Sequence, residues 1–350
     1  MILLTIFFAW FWCESQKELA NNINKEEVNR YKIKVIFWAI LAFLPMFLIN
    51  ALMKNVGTDY GNYYVYYQRI VSGNEQEVEI TYKLICLLVN KLGLEFQWVY
   101  VIYSLMSYGL LSLCLKKYSK NYAVSYLMFF LNGYFATLGL HQIRQFTAVM
   151  LVFWGLSYIK SHEFLKYLGC VLLATTFHFT AIIMLPFYWI LGKKWKSTAF
   201  ILAAIILLPF NLFYTEIMTW LFATFLPRYL NTNYTTRGFG VSALFLGLIL
   251  LPLLISILYE KMCEEEHTIF KNCMYFSSIL VLFGSWLPEY KRFVYYFFIP
   301  SIVYIPTLLE SDKNKWRKRI FYVILLGFYA VYYMKTFNEW SIAPYRSVLN

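Results

Sequence analysis

The chain has 350 residues, of which 60% are apolar and 14% charged, and its mean hydropathy is +0.54. A soluble domain of this length cannot hide that much apolar surface, so the composition excludes a water-soluble protein and specifies a polytopic membrane protein. The net charge of +12 fits lysine-rich cytoplasmic loops and does not call for nucleic acid.

At the N-terminus, "MILLTIFFAWFWCESQKEL" has no basic stretch ahead of its apolar core and no small-residue cleavage site, which predicts a retained, short first helix. A spanning helix needs about 20 apolar residues, fewer where neighbours shield it. About twelve spans are predicted on that rule, at 2–13, 34–53, 95–115, 122–139, 141–160, 164–178, 179–191, 197–214, 241–261, 268–286, 291–309 and 318–336. The pair 164–178 and 179–191 reads as two thin helices or as one broken hairpin. Residues 80–93, "ITYKLICLLVNKLG", are amphipathic and predict a re-entrant or interfacial helix. No repeat, low-complexity tract or soluble segment interrupts the pattern. Residues 1–350 are therefore expected to form one all-α membrane domain. Cys13, Cys86, Cys114, Cys170, Cys263 and Cys273 are scattered through apolar runs without a CxxC pair, and read as small buried hydrophobes.

Alternating the loops with 14–33 inside puts twenty of the 31 basic residues on the inner side, which predicts that both termini are extracytoplasmic. The two sides differ in kind. The inner set has seventeen Lys and three Arg, the outer set five Lys and six Arg. Charge alone serves topology, whereas a planar guanidinium is favoured where carboxylate or phosphate must be gripped in two places. Outer arginines can also snorkel to lipid headgroups, which accounts for Arg69 or Arg346.

The outer-side motifs concentrate polar chemistry. In "LGLHQIRQFTAVM", His141, Gln142, Arg144 and Gln145 cluster where one span passes into the next, and His141 and Gln145 share a helix face. A charge there is costly unless it meets a wet cavity, a ligand or a partner helix. His178, in "LLATTFHFTAIIMLP", lies at the predicted level of Arg144, although a lone histidine on an apolar face also serves as a satisfied core residue. The loop "LPRYLNTNYTTRGFG" sets Arg228 and Arg237 among Tyr, Asn and Thr, and "WLPEYKRFVYYF" brings Glu289, Tyr290, Lys291 and Arg292 to the mouth of a helix. Amides, hydroxyls and aromatic rings beside guanidinium suit a sugar carried on a phosphate.

In order, "GTDYGNYYVYY", "FQWVYVIYSL", "HQIRQFTAVML", "LATTFHFTAIIMLPFYWIL", "KRFVYYF" and "NEWSIAPYRSVL" resemble the EpsG branch of the Wzy-type bacterial polysaccharide polymerases over nearly the whole chain. Where that pattern carries an arginine shortly before GTDY, this chain has Lys54. The resemblance implies a multi-pass enzyme of the bacterial cytoplasmic membrane. It would join undecaprenyl-pyrophosphate-linked oligosaccharide repeat units, on the outer face, into a capsule, exopolysaccharide or O-antigen chain. Membrane lipid is implied as a partner, and a chain-length regulator and a flippase are compatible ones; no cofactor is implied.

Set in that chemistry, Gly57 permits a turn, and Thr58 or Asp59 can cap the short helix that follows. Tyr60, Tyr63, Tyr64 and Tyr67 recur at helical spacing as one aromatic stripe, either an interface belt or a sugar platform. Glycosyl transfer needs a base for the acceptor hydroxyl and cations for the departing pyrophosphate. Asp59, His178 and Glu289 are the candidate bases, with Asp59 favoured. Arg144, Arg228, Arg237 and Arg292 are the candidate clamp, with His141, Gln145, Tyr60, Tyr63 and Tyr290 around the substrate. No DxD-like motif lies on the outer side, so a metal-independent reaction is expected. A flippase of lipid-linked sugar, a membrane acyltransferase using His178, and a non-catalytic assembly subunit are the competing readings.

Overall fold

The computed structural model describes the chain except residues 22–24, 75–76, 208–212, 226, 228–229, 231–240, 260–266, 285–288, 341 and 350. Among the described residues every named element is a helix. The first eight are α1 (Ile2–Asn21), α2 (Lys25–Ala51), α3 (Tyr60–Val71), α4 (Ile80–Lys91), α5 (Gln97–Tyr118), α6 (Tyr122–Leu131), α7 (Ile143–Lys160) and α8 (Phe164–Phe177). A π-helix, Phe135–His141, joins α6 to α7, and a 3-10 turn, Phe179–Met184, follows α8. The C-terminal half adds helices at Phe187–Leu191, Ser197–Leu207, Tyr214–Phe225, Ala243–Leu258, Thr268–Phe283, Tyr290–Phe298, Ser301–Glu310 and Lys315–Thr336.

Among the described residues, the twelve predicted spans are not all found as helices of spanning length. Among the described residues three helices are long and apolar enough to cross a membrane: Val28–Ala51, Gln97–Tyr118 and Tyr290–Glu310. A fourth arises if α6 and the π-helix, bent by 77°, count as one broken span. The physical reason lies in local breaks inside apolar windows. The window 122–139 is cut after α6, where Asn132 and Gly133 turn the chain, Gly133 taking φ +75° that a Cβ would disfavour. The window 179–191 is cut by Pro186 into a 3-10 turn and one short helix. The window 197–214 holds the helix Ser197–Leu207, with 208–212 outside the described residues, and the helix Tyr214–Phe225 was not predicted. The amphipathic helix expected at 80–93 is present as α4, with Tyr82, Ile85, Cys86 and Val89 buried and Ile80, Leu84, Leu87 and Leu88 exposed.

At the starts of α6, of Ala243–Leu258 and of Lys315–Thr336, a polar side chain satisfies orphan backbone donors. Asn121 accepts from Val124 N at 3.2 Å, Ser242 from Phe245 N at 3.2 Å, and Asn314 from Trp316 N and Arg317 N at 3.1 and 3.0 Å. Inside the bundle small polar groups bond helix to helix, as suits a chain without water around it. Ser107 and Thr147 hydroxyls lie 2.7 Å apart, and Tyr118 OH donates to Trp154 O at 2.8 Å, so α5 and α7 run parallel. Their N-terminal ends, Gln97 and Arg144, therefore share one end of the bundle, and Lys117 and Lys160 the other.

The last residues return to the Gln97 end. Lys54 N donates to Arg346 O at 3.0 Å, Val348 N to Leu52 O at 2.9 Å, and Gln97 Nε2 to Met53 O at 3.1 Å. At the opposite end Arg317 grips Asp312 through Nε and a terminal nitrogen at 2.6 and 2.8 Å. Tyr259 OH bonds the same carboxylate, and these bonds hold Asp312 well below the usual carboxylate range. Of the cysteines, Cys13, Cys86, Cys114 and Cys273 are buried and Cys170 half-buried; Cys263 lies outside the described residues.

Candidate active site

Glu79 is the centre of the polar end. It precedes α4 in extended conformation, and its side chain makes no capping bond there. Instead the carboxylate turns inward, 16% exposed, and bridges two helices. Oε1 lies 2.7 Å from Nδ1 of His178, at the end of α8. Oε2 pairs with a terminal nitrogen of Arg144, in the first turn of α7. A hydrogen bond between Thr81 and Thr176 hydroxyls at 2.8 Å pins α4 to α8 beside them. Burial pushes the Glu79 carboxyl up, but the His178 hydrogen bond and the Arg144 charge outweigh it and bring it down to about 2. The carboxylate is thus ionised and can only accept.

Arg144 is held from both sides. Its guanidinium lies 5.2 Å from the Tyr63 ring and 5.3 Å from the Tyr82 ring, a cation–π clasp. Tyr82 OH in turn donates to Tyr63 O at 2.7 Å. Arg144 is 17% exposed and its Nε is buried with no hydrogen-bond partner among the described residues. His178 is 11% exposed, and its Nε2 is likewise buried with no hydrogen-bond partner among the described residues.

A second group opens as a cleft of about 430 Å³, lined among others by Asp59, His141, Glu289, Lys291, Arg292 and Glu339. His141 closes the π-helix, and its Nδ1 accepts from Thr58 N at 3.2 Å. This contact requires Gly57: with φ +79°, a Cβ there would lie 3.1 Å from the imidazole Cε1. Gln145 Nε2 donates to Arg292 O at 2.7 Å, tying α7 to the helix Tyr290–Phe298. Arg292 Nε pairs with Glu289 at 3.3 Å, and Glu289 takes a left-handed backbone, φ +55°. Lys291 lies 5.1 Å from the Phe245 ring. Three carboxylates and two cations make this cleft mixed in sign, suited to sugar hydroxyls as well as to an anion.

The structure thus brings Asp59, His141, Glu289 and Arg292 into one cleft and Arg144 and His178 onto one carboxylate, with Gln145 bridging α7 to Arg292. Asp59 stands at the start of α3, half-buried, and accepts from Thr58 Oγ1 at 3.3 Å; its side chain makes no helix-capping bond. Tyr60 and Tyr63 are buried, Tyr60 stacked on Tyr100 at 5.1 Å and Tyr63 tilted against Tyr82 at 5.6 Å. Tyr64 and Tyr67 pack on Phe96. The inner half of the aromatic stripe is thus packed within the protein. Tyr290 is half-buried beside Phe245. Arg228 and Arg237 lie outside the described residues. Sequence reasoning missed Glu79, Tyr82 and Glu339. The signal for Glu79 was the run "EQEVEITYK", a carboxylate set immediately before an amphipathic helix.

An all-helical chain with apolar outer faces, and with a guanidinium, an imidazole and a carboxylate joined at one end beside a polar cleft, is a membrane protein built around a polar site. The chain belongs to the EpsG family, whose sequence model matches residues 35–347. No curated protein and no solved structure matches it. Family membership points to a polymerase role in exopolysaccharide synthesis.

Proposed function

We propose that this protein is a Wzy-type glycosyltransferase of the bacterial cytoplasmic membrane that joins undecaprenyl-pyrophosphate-linked oligosaccharide repeat units at its extracytoplasmic face. The observation that carries the reading is the convergence of Arg144, His178 and Glu79, from three separate elements, beside the cleft holding Asp59 and Arg292. The reaction needs a proton acceptor near an acceptor hydroxyl and cations near a leaving pyrophosphate. Histidine and carboxylates supply the first, Arg144, Lys291 and Arg292 the second, without a metal ion. The orientation follows from the sequence: the lysine-rich loops are cytoplasmic, and the polar site lies at the other end. Both chain termini are proposed to be extracytoplasmic.

A deletion strain tests the function. Loss of a polymerase leaves lipid-linked single repeat units exposed on the outer leaflet, with no longer chains. Repeat units retained on the inner leaflet would instead identify a flippase, and unchanged polymer length would identify a modifying acyltransferase.

A further inference from the structure

We infer that His178 is the general base of the transfer and that Glu79 is the residue that positions it. The inference rests on the polymerase reading above. Glu79 is ionised and only accepts, so the 2.7 Å contact places a proton on His178 Nδ1. A neutral imidazole then carries its lone pair on Nε2, and that atom is buried with no hydrogen-bond partner among the described residues. An unsatisfied buried nitrogen is unfavourable unless something supplies a donor. A sugar hydroxyl is such a donor.

The step balances. The acceptor hydroxyl oxygen forms its bond to the anomeric carbon of the donor sugar as its proton passes to His178 Nε2. The bond from that carbon to the pyrophosphate oxygen breaks, and the electron pair leaves with the lipid pyrophosphate. The imidazolium so formed faces the Glu79 carboxylate, which stabilises it. Arg144, on the other oxygen of Glu79, stands where it holds the departing anion. The arrangement also explains why Glu79 caps nothing at the start of α4: its carboxylate is committed inward. Asp59 is then left to bind the acceptor and does not take its proton.

The test uses the full-length protein purified in lipid nanodiscs, with lipid-linked oligosaccharide extracted from the deletion strain, and reads polymer formation. His178→Ala should lower turnover by about 10²-fold or more. Added imidazoles of graded basicity should restore it, with the rate rising with base strength. His178→Gln keeps a donor for Glu79 and most of the volume, so it should fold like wild type and remain as slow as His178→Ala. Glu79→Gln should lower turnover on its own and cost much less in the His178→Ala background, where only its effect through Arg144 remains. Wild-type turnover in His178→Gln would overturn the assignment. Rescue independent of basicity would overturn it too, as would multiplicative losses for Glu79→Gln and His178→Ala. If the wild-type protein makes no polymer from this substrate, the polymerase reading itself fails and the inference falls with it.

Discussion

His178 and Arg144 divide one carboxylate between them: Nδ1 of the histidine lies 2.7 Å from Glu79 Oε1, and the guanidinium takes Oε2. Glu79 is therefore the residue on which both the electrostatics and the stability of the polar end depend. Replacing it by Gln leaves the Arg144 charge without its counter-ion inside the bundle, at a cost of roughly 3 kcal/mol.

The same carboxylate gives a pH dependence with a definite sign. Its folded value of about 2 lies below the ordinary 4.5. A carboxyl depressed on folding stabilises above its unfolded value and loses that stabilisation as pH falls toward the folded one. The contribution, about 3 kcal/mol, should be complete above pH 4.5 and vanish between there and pH 2. Thermal unfolding in nanodiscs should show wild type more stable than Glu79→Gln at pH 6, with the gap narrowing by pH 3 and closing toward pH 2. A pH-independent gap would show that Glu79 is not held as described.

Gly57→Ala should destabilise the protein by roughly 1–3 kcal/mol, because alanine at φ +79° is strained. It should also displace His141, whose ring stands 3.1 Å from the added Cβ. An unchanged melting temperature together with unchanged activity would contradict the close packing of this turn.

The arginines should not tolerate lysine. Arg144→Lys keeps the charge but loses the planar group that lies between Tyr63 and Tyr82. Arg292→Lys loses the fork at the cleft, where the side chain is 36% exposed. Loss of one charge-assisted contact to the leaving group should lower turnover by about 10²-fold, roughly 2–4 kcal/mol. Initial rates of chain extension check this, and normal rates in both variants would remove phosphate binding from both residues.

Asp59→Asn separates binding from proton transfer. Because the Asp59 side chain makes no capping bond, the substitution should change stability by less than about 0.5 kcal/mol. With His178 as base, kcat should fall less than about tenfold while KM for the acceptor rises. A loss of kcat by about 10²-fold at normal KM would return the base to Asp59.

Much of this architecture was legible in the sequence, and the exceptions have causes. Helix α3 after "GTDY" and the amphipathic α4 follow from turn residues and periodicity, which are local. The predicted windows and the long helices differ in number because a hydropathy window does not register a break such as Asn132–Gly133 or Pro186 inside an apolar run. Arg144 and His178 stood out as charge or imidazole in apolar surroundings. Glu79 did not, since it follows Glu75 and Glu77 in a polar stretch. Which of the three meets Arg144 is decided by how α4 packs against α7 and α8, and no local pattern encodes that.

Chain extension at this site is tested most directly with purified protein. Incubated in nanodiscs with lipid-linked single repeat units, the wild-type protein should convert them into a ladder of longer lipid-linked chains and release undecaprenyl pyrophosphate. Intact single units after prolonged incubation, with protein that is folded and monodisperse, would contradict the account.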